Sequence, residues 1–198
     1  MTSLDSPRIH PITHWIRTPS PSPCFRTEFR LVGVTSSYVL KANNPVYSGQ
    51  EQHYSGGAVP NDREAIWLSG YPTDSELYTW IASINQIRNQ AIYKDSGYLL
   101  YKAYPVYSDD STIVMRKGDT DYQIISVFTN LGAGGSSYTL TLPSSDTGFS
   151  DSQSVVEIGS CTVTSTDSSG NLDVPMASGL PRIYYPQAQL TGSGVCGQ

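Results

Sequence analysis

The sequence predicts a mainly β chain that ends in an antiparallel β-sandwich, with one amphipathic helix ahead of it. Three observations lead there. From Gly97 onward, eight short β-branched or alternating runs are separated by Gly, Asp, Asn, Ser and Pro, the spacing of a sandwich rather than of β-α-β units. Between Ser137 and Pro143 the alternation is cleanest, with Tyr138, Leu140 and Leu142 on one face and Thr139 and Thr141 on the other. Only one stretch, from Thr73 to about Tyr93, follows a 3.6-residue period, through Leu77, Trp80, Ile81, Ile84, Ile87, Ala91 and Ile92, while Asn85, Arg88 and Asn89 take the polar side. The absence of an internal repeat argues against a propeller or solenoid.

Residues 1–45 are rich in Pro and Ser, with the run Thr18–Cys24 (TPSPSPC), and such a segment cannot bury enough apolar surface to offset chain entropy. A disordered leader is expected there. Phe29–Leu40 contains β-type residues, yet Lys41, Asn43 and Asn44 stand between Tyr38 and Tyr47, where a buried parallel strand would be continuously apolar. Residues 46–72 read as a Gly-rich loop closed by the apolar run Ala65–Leu68. Thr73 followed by Glu76 has the spacing of a capping box and predicts the helix start. The strand runs are then YLLYKAYPVYS, STIVMRKG, YQIISVFTN, SYTLTLP, SVVEIG, TVTSTD, LDVPMA and LPRIYYPQ. Asp109-Asp110 between the first two reads as turn chemistry. Leu131–Ser137 (LGAGGSS) lacks the lysine and following helix of a phosphate loop, and reads as a hairpin connection.

A length of 198 residues is below the roughly 250 of a complete (β/α)8 barrel. The net charge of −5 argues against nucleic acid as a partner, because phosphate binding needs clustered Lys and Arg. No apolar run reaches the roughly 18 residues of a membrane span, so no membrane partner is expected. The opening residues are broken by Pro, Arg and His, so a signal peptide is not expected in the chain as written. Cys161 and Cys196 could close one loop in an oxidising compartment, which leaves Cys24 without a partner. His53 has no nucleophile or metal motif around it and reads as structural. Glu51, Asp62 and Glu64 share one loop and read as solvated or salt-bridged. The fourteen tyrosines invite stacking against sugar rings, although alternating strand positions make most of them cross-strand packing partners.

Several segments resemble one family and occur in its order: GQEQHYSGG (Gly49–Gly57), REAIWLSGYPTDSELY (Arg63–Tyr78), MRKG (Met115–Gly118), GNLDVPMASGLPRIYYP (Gly170–Pro186) and the cysteine pair Cys161 and Cys196. Together they resemble fungal α-amylases of the Taka-amylase type, glycoside hydrolase family 13, across residues 46–198. The resemblance implies an unrelated leader over 1–45, then the last βα-loop and helix of a catalytic (β/α)8 barrel over 46–96. An antiparallel Greek-key β-sandwich, domain C, would occupy 97–198. It also implies an extracellular protein whose partner is α-1,4-glucan, such as starch or maltooligosaccharides.

By the same resemblance Arg63 matches a substrate-binding arginine, whose guanidinium can donate several fixed hydrogen bonds to sugar hydroxyls. The aspartate that the family often carries four residues earlier is Val59 here. Retaining hydrolysis needs two carboxylates about 5 to 5.5 Å apart, and in the family these precede the segment matched by Val46. No catalytic residue is therefore assigned. Family calcium ligands also come from earlier segments, so no metal and no cofactor is expected in this chain. The expected function is that of a starch-degrading α-amylase fragment, inactive alone. The alternative is a non-catalytic carbohydrate-binding or structural β-sandwich, marked by exposed coplanar aromatics on one face. In the family the helix stripe would face barrel strands, so here it either packs on the sandwich or stays exposed.

Overall fold

A strand whose every residue is buried needs cover on both faces, and Ile124–Thr129 is such a strand. The computed structural model describes residues 49–52, 54, 59 and 64–198. Its eight strands are β1 (Tyr104–Ser108), β2 (Thr112–Lys117), β3 (Ile124–Thr129), β4 (Tyr138–Leu142), β5 (Ser154–Glu157), β6 (Thr162–Ser165), β7 (Leu172–Met176) and β8 (Arg182–Pro186). Six form one sheet in the order β1-β2-β3-β8-β5-β6, and β4 and β7 form a second. All pairings are antiparallel. The chain leaves the large sheet after β3, returns for β5 and β6, crosses again for β7, and closes with β8 between β3 and β5.

Alternation along the central strands supplies two cores. Ile125 and Val127 of β3, Val155 of β5 and Tyr184 of β8 point inward to Leu140, Leu142, Leu172, Val174 and Met176 of the small sheet. Their neighbours Ile124, Val156, Ile183 and Tyr185 point the other way, onto the helix α1 (Glu76–Lys94). Leu77, Ile84, Ile87 and Ala91 of α1 are fully buried there, and each large side chain so buried contributes about 1.5 to 3 kcal/mol. The helix stripe therefore packs on the sandwich. Gln90 adds a hydrogen bond from Nε2 to the Gln189 carbonyl at 2.6 Å.

Three local expectations are corrected. Ser75 rather than Thr73 caps α1, its hydroxyl accepting from the Tyr78 N–H at 3.4 Å. That hydroxyl also donates to the Glu51 carbonyl at 2.6 Å, which ties the helix start to the 3-10 turn Gln50–Gln52 and favours the later cap. The first strand run begins as a 3-10 turn, Ser96–Leu99, before β1. Leu131–Ser137 is no hairpin, because β3 and β4 lie in different sheets and β4 pairs with β7 instead, Leu140 facing Val174 and Leu142 facing Leu172.

The far edge is pinned by a buried carboxylate. Glu157 accepts from the N–H groups of Gly159 (3.0 Å), Ser160 (2.8 Å) and Ile183 (3.4 Å) and from the Ser160 hydroxyl (2.6 Å), with Arg182 at 3.7 Å. A buried charge is tolerated when it is hydrogen-bonded in this way. The turn so held carries Cys161, which is joined by a disulfide to Cys196 across 35 residues. Val195 beside it enters the helix-side core.

Two outcomes are expected. Ile84→Ala should cost about 2 to 5 kcal/mol in urea unfolding, and a loss below about 0.5 kcal/mol, the range of surface changes, would show that α1 is not packed on the sheet. Reduction by dithiothreitol should lower stability by about 4 kcal/mol on the chain-entropy account of a loop this long; an unchanged midpoint would contradict it.

Candidate functional site

The link from α1 to the edge strand β1 builds an aromatic pair, Tyr104 exposed and Tyr101 half-buried. Asp95 opens it by accepting the Gly97 N–H at 2.8 Å, starting the 3-10 turn Ser96–Leu99. Tyr98 in that turn is fully buried in the helix-side core, whereas Leu100 just after it is 89% exposed. Tyr101 follows, its N–H bonded to the Gly97 carbonyl at 3.0 Å. Tyr104 begins β1 opposite Arg116 and is 39% exposed.

The rings of Tyr101 and Tyr104 have centroids 6.1 Å apart and planes inclined by 32°. The Tyr101 hydroxyl donates to that of Tyr104 at 3.3 Å. This hydrogen bond, then partial burial, raises the Tyr101 pKa above the ordinary phenol value. Lys117, buried behind it, donates from Nζ to the Tyr101 carbonyl and stands 4.6 Å from the Tyr98 ring centre. Arg116 is folded under the edge with its guanidinium against Gly148, where a Cβ would come within 2.4 Å of Nη1, and with Nη2 donating to Thr120 Oγ1 at 3.3 Å. Gly148 has φ +73°, the left-handed region that favours glycine, so the backbone is the stronger demand.

Two tilted aromatic planes with hydroxyls at hand offer apolar faces to a sugar ring and hydrogen-bonding tips to its hydroxyls. They supply no acid and base. Two carboxylates of the sandwich, Asp109 and Asp167, are occupied by local turns. Asp109 accepts from the N–H groups of Ser111 (2.7 Å) and Thr112 (2.6 Å) and from Tyr107 Oη (2.8 Å). Burial pushes its pKa up, but these donors outweigh burial and hold it below the ordinary carboxylate range. Asp167 is held low by the N–H groups of Asn171 and Ser169 and the Asn171 side chain. Among the described residues no group of three or more His, Cys, Asp or Glu side chains could hold a metal ion.

Of the loop residues singled out from sequence, Arg63, His53 and Asp62 lie outside the described residues, as do residues 1–48 with Cys24. Glu51 is turned onto its own loop, accepting the Gly49 N–H at 2.9 Å. Val59 and Glu64 are exposed. Among the described tyrosines, Tyr98, Tyr184 and Tyr185 are buried, burial pushing Tyr184 up to about 12, whereas Tyr71, Tyr78, Tyr93 and Tyr104 are exposed. The Tyr101–Tyr104 pair was not singled out, although its signal was present in YKAYP, two tyrosines three apart immediately before a proline.

Comparison with known proteins agrees with this geometry. The family described as Alpha-amylase, domain C matches residues 105–198. α-Amylase 1 of Schwanniomyces occidentalis is 48% identical over 153 residues, covering 77% of this chain and 29% of that protein. α-Amylase 1 of Lipomyces kononenkoae is 57% identical over 151 residues, covering 76% of this chain and 24% of that protein. The solved structure of an α-amylase from Malbranchea cinnamomea superposes with a TM-score of 0.77 at 36% identity, over 85% of this chain and 35% of that one. An α-amylase from Geobacillus thermoleovorans, at 15% identity and a TM-score of 0.61, shares the fold. The chain thus spans less than a third of the length of the two named relatives, and it belongs to the α-amylase family, as the portion that carries domain C.

Proposed function

We propose that this chain serves starch degradation as a glucan-holding part, with Tyr101 and Tyr104 as its contact surface and with bond cleavage carried by residues outside it. The observation that supports this reading is the tilted ring pair, 6.1 Å apart at 32°, with Tyr104 exposed and Tyr101 half-buried, in place of the coplanar exposed aromatics expected from the sequence. An α-1,4-glucan curves, so successive sugar faces turn relative to one another, and inclined platforms follow that curve. A flat β-1,4 chain would be served better by coplanar rings. The substrate class follows from the relatives, which are named as α-amylases. An extracellular setting fits the disulfide, and no helix among the described residues is long and apolar enough to cross a membrane. On this reading, residues 46–96 are the end of a catalytic barrel and 97–198 are domain C, with Arg63 available to a sugar.

A second reading, a structural module with no sugar contact, is favoured by Trp67 (68% exposed), Leu68 (74%) and Leu100 (89%). Exposed apolar groups of that size suit burial against further protein.

Retardation in a native gel containing soluble starch separates the two. The wild type should be retarded, and replacing both Tyr101 and Tyr104 by Ala should weaken retention about tenfold or more, at roughly 0.5 to 1.5 kcal/mol per aromatic contact. Equal mobility of wild type and double variant would favour the structural module. The purified chain should release no reducing sugar from soluble starch above a denatured control, and measurable release would overturn the assignment of cleavage to other residues.

A further inference from the structure

We propose that Lys117 is a positioning residue for the tyrosine pair, fixing where Tyr101 stands relative to Tyr104; this rests on the glucan-holding reading of that pair. Lysine is among the residues least often buried, yet Lys117 is 2% exposed at the end of β2, in register with Ile124 of β3. Its ammonium lies 4.6 Å from the ring centre of Tyr98 and donates to the Tyr101 carbonyl. Tyr98 is fixed in turn by the helix-side core. The cation is thus bracketed between a ring that cannot move and the backbone of the residue that forms half the platform. Cation–π attraction is strongest where the pair is desolvated, as here.

Strand pairing explains why such a tether is needed. Tyr104 belongs to β1 and is placed by its register with Arg116. Tyr101 belongs to no strand, and its backbone is held by the bond of its N–H to Gly97 and the bond of its carbonyl from Lys117. Two successive residues of β2 therefore reference the two rings, Arg116 through register and Lys117 through its ammonium. Because Lys117 is buried, it reaches the ligand only through Tyr101. Rings held in place before binding lose less freedom on binding, which favours affinity.

The test is a double-mutant cycle with maltoheptaose in isothermal titration calorimetry. Lys117→Met should raise Kd about tenfold, comparable to removing one aromatic contact, and should add nothing in the Tyr101→Ala background. A purely structural role would instead give the same loss in both backgrounds. Leu172→Ala, destabilising but in the other core, should leave Kd unchanged. Unaltered Kd in Lys117→Met, or equal losses with and without Tyr101, would overturn the proposal. If Lys117→Met does not fold, Lys117→Arg keeps the charge but replaces a point donor by a planar fork; it should weaken binding only when Tyr101 is present, and equal affinities would overturn the proposal equally. Failure of the wild type to bind would sink the glucan reading instead. The positioning role would then be judged by the 19F resonance of 3-fluorotyrosine at position 101, which Lys117→Met must shift; an unmoved resonance at 101 would refute it.

Discussion

The structure depends on one constraint: the central strands of the six-stranded sheet are apolar on both faces, so both faces must be covered. Ile125, Val155 and Tyr184 are covered by β4 and β7, and Ile124, Val156, Ile183 and Tyr185 by the helix. Without α1, four large side chains on one face of a sheet would meet water, a loss of several kcal/mol at about 1.5 to 3 kcal/mol each. That is a large part of the stability of an ordinary domain. The helix is therefore a layer of this fold, and the core it forms with the sheet spans the sequence on both sides of residue 96.

That arrangement also decides what the surface can offer. Tyr98 is a member of the helix-side core, and the turn in which it lies delivers Tyr101 and the edge strand. Edge strands expose their flank, and here the flank begins with an aromatic residue whose ring leans toward another. The feature that could touch a ligand is three residues from a fully buried one. Rigidity in the core is passed to the rings through a short segment and one buried ammonium.

Much of the fold could be read from the residues because its signals are local. All eight strand runs hold a strand, since period-two alternation and turn residues act over a few positions. Periodicity located the helix but not its first residue, because Thr73 and Ser75 are both competent caps and the choice was made by a distant carbonyl, that of Glu51. The link Leu131–Ser137 was recognisable as a turn, yet nothing local reveals that the next strand will pair with β7 rather than β3. The tyrosine pair was hidden for the same reason. Its geometry comes from a 3-10 turn, the β1–β2 register and a lysine sixteen residues away. Arg63 was singled out only through likeness to a family, and it lies outside the described residues.

The acidic residues give the last step. A glycosidase pair requires two carboxylates that face each other across a bond to be broken, with capacity left over for protons and substrate. Here Asp95, Asp109, Glu157 and Asp167 each accept the N–H of a residue two positions on, Glu51 accepts that of a residue two positions back, and Asp109, Glu157 and Asp167 accept further donors as well. Each such bond fixes the side chain to its own turn, and in Asp109 and Asp167 it holds the pKa below the ordinary carboxylate range. A carboxylate committed in this way has little freedom to act as an acid, a nucleophile or a metal ligand. The same bonds order the loops of a sandwich that has few long elements of its own. Acidic side chains in this part of the molecule build shape, and the contact surface is left to uncharged aromatic groups.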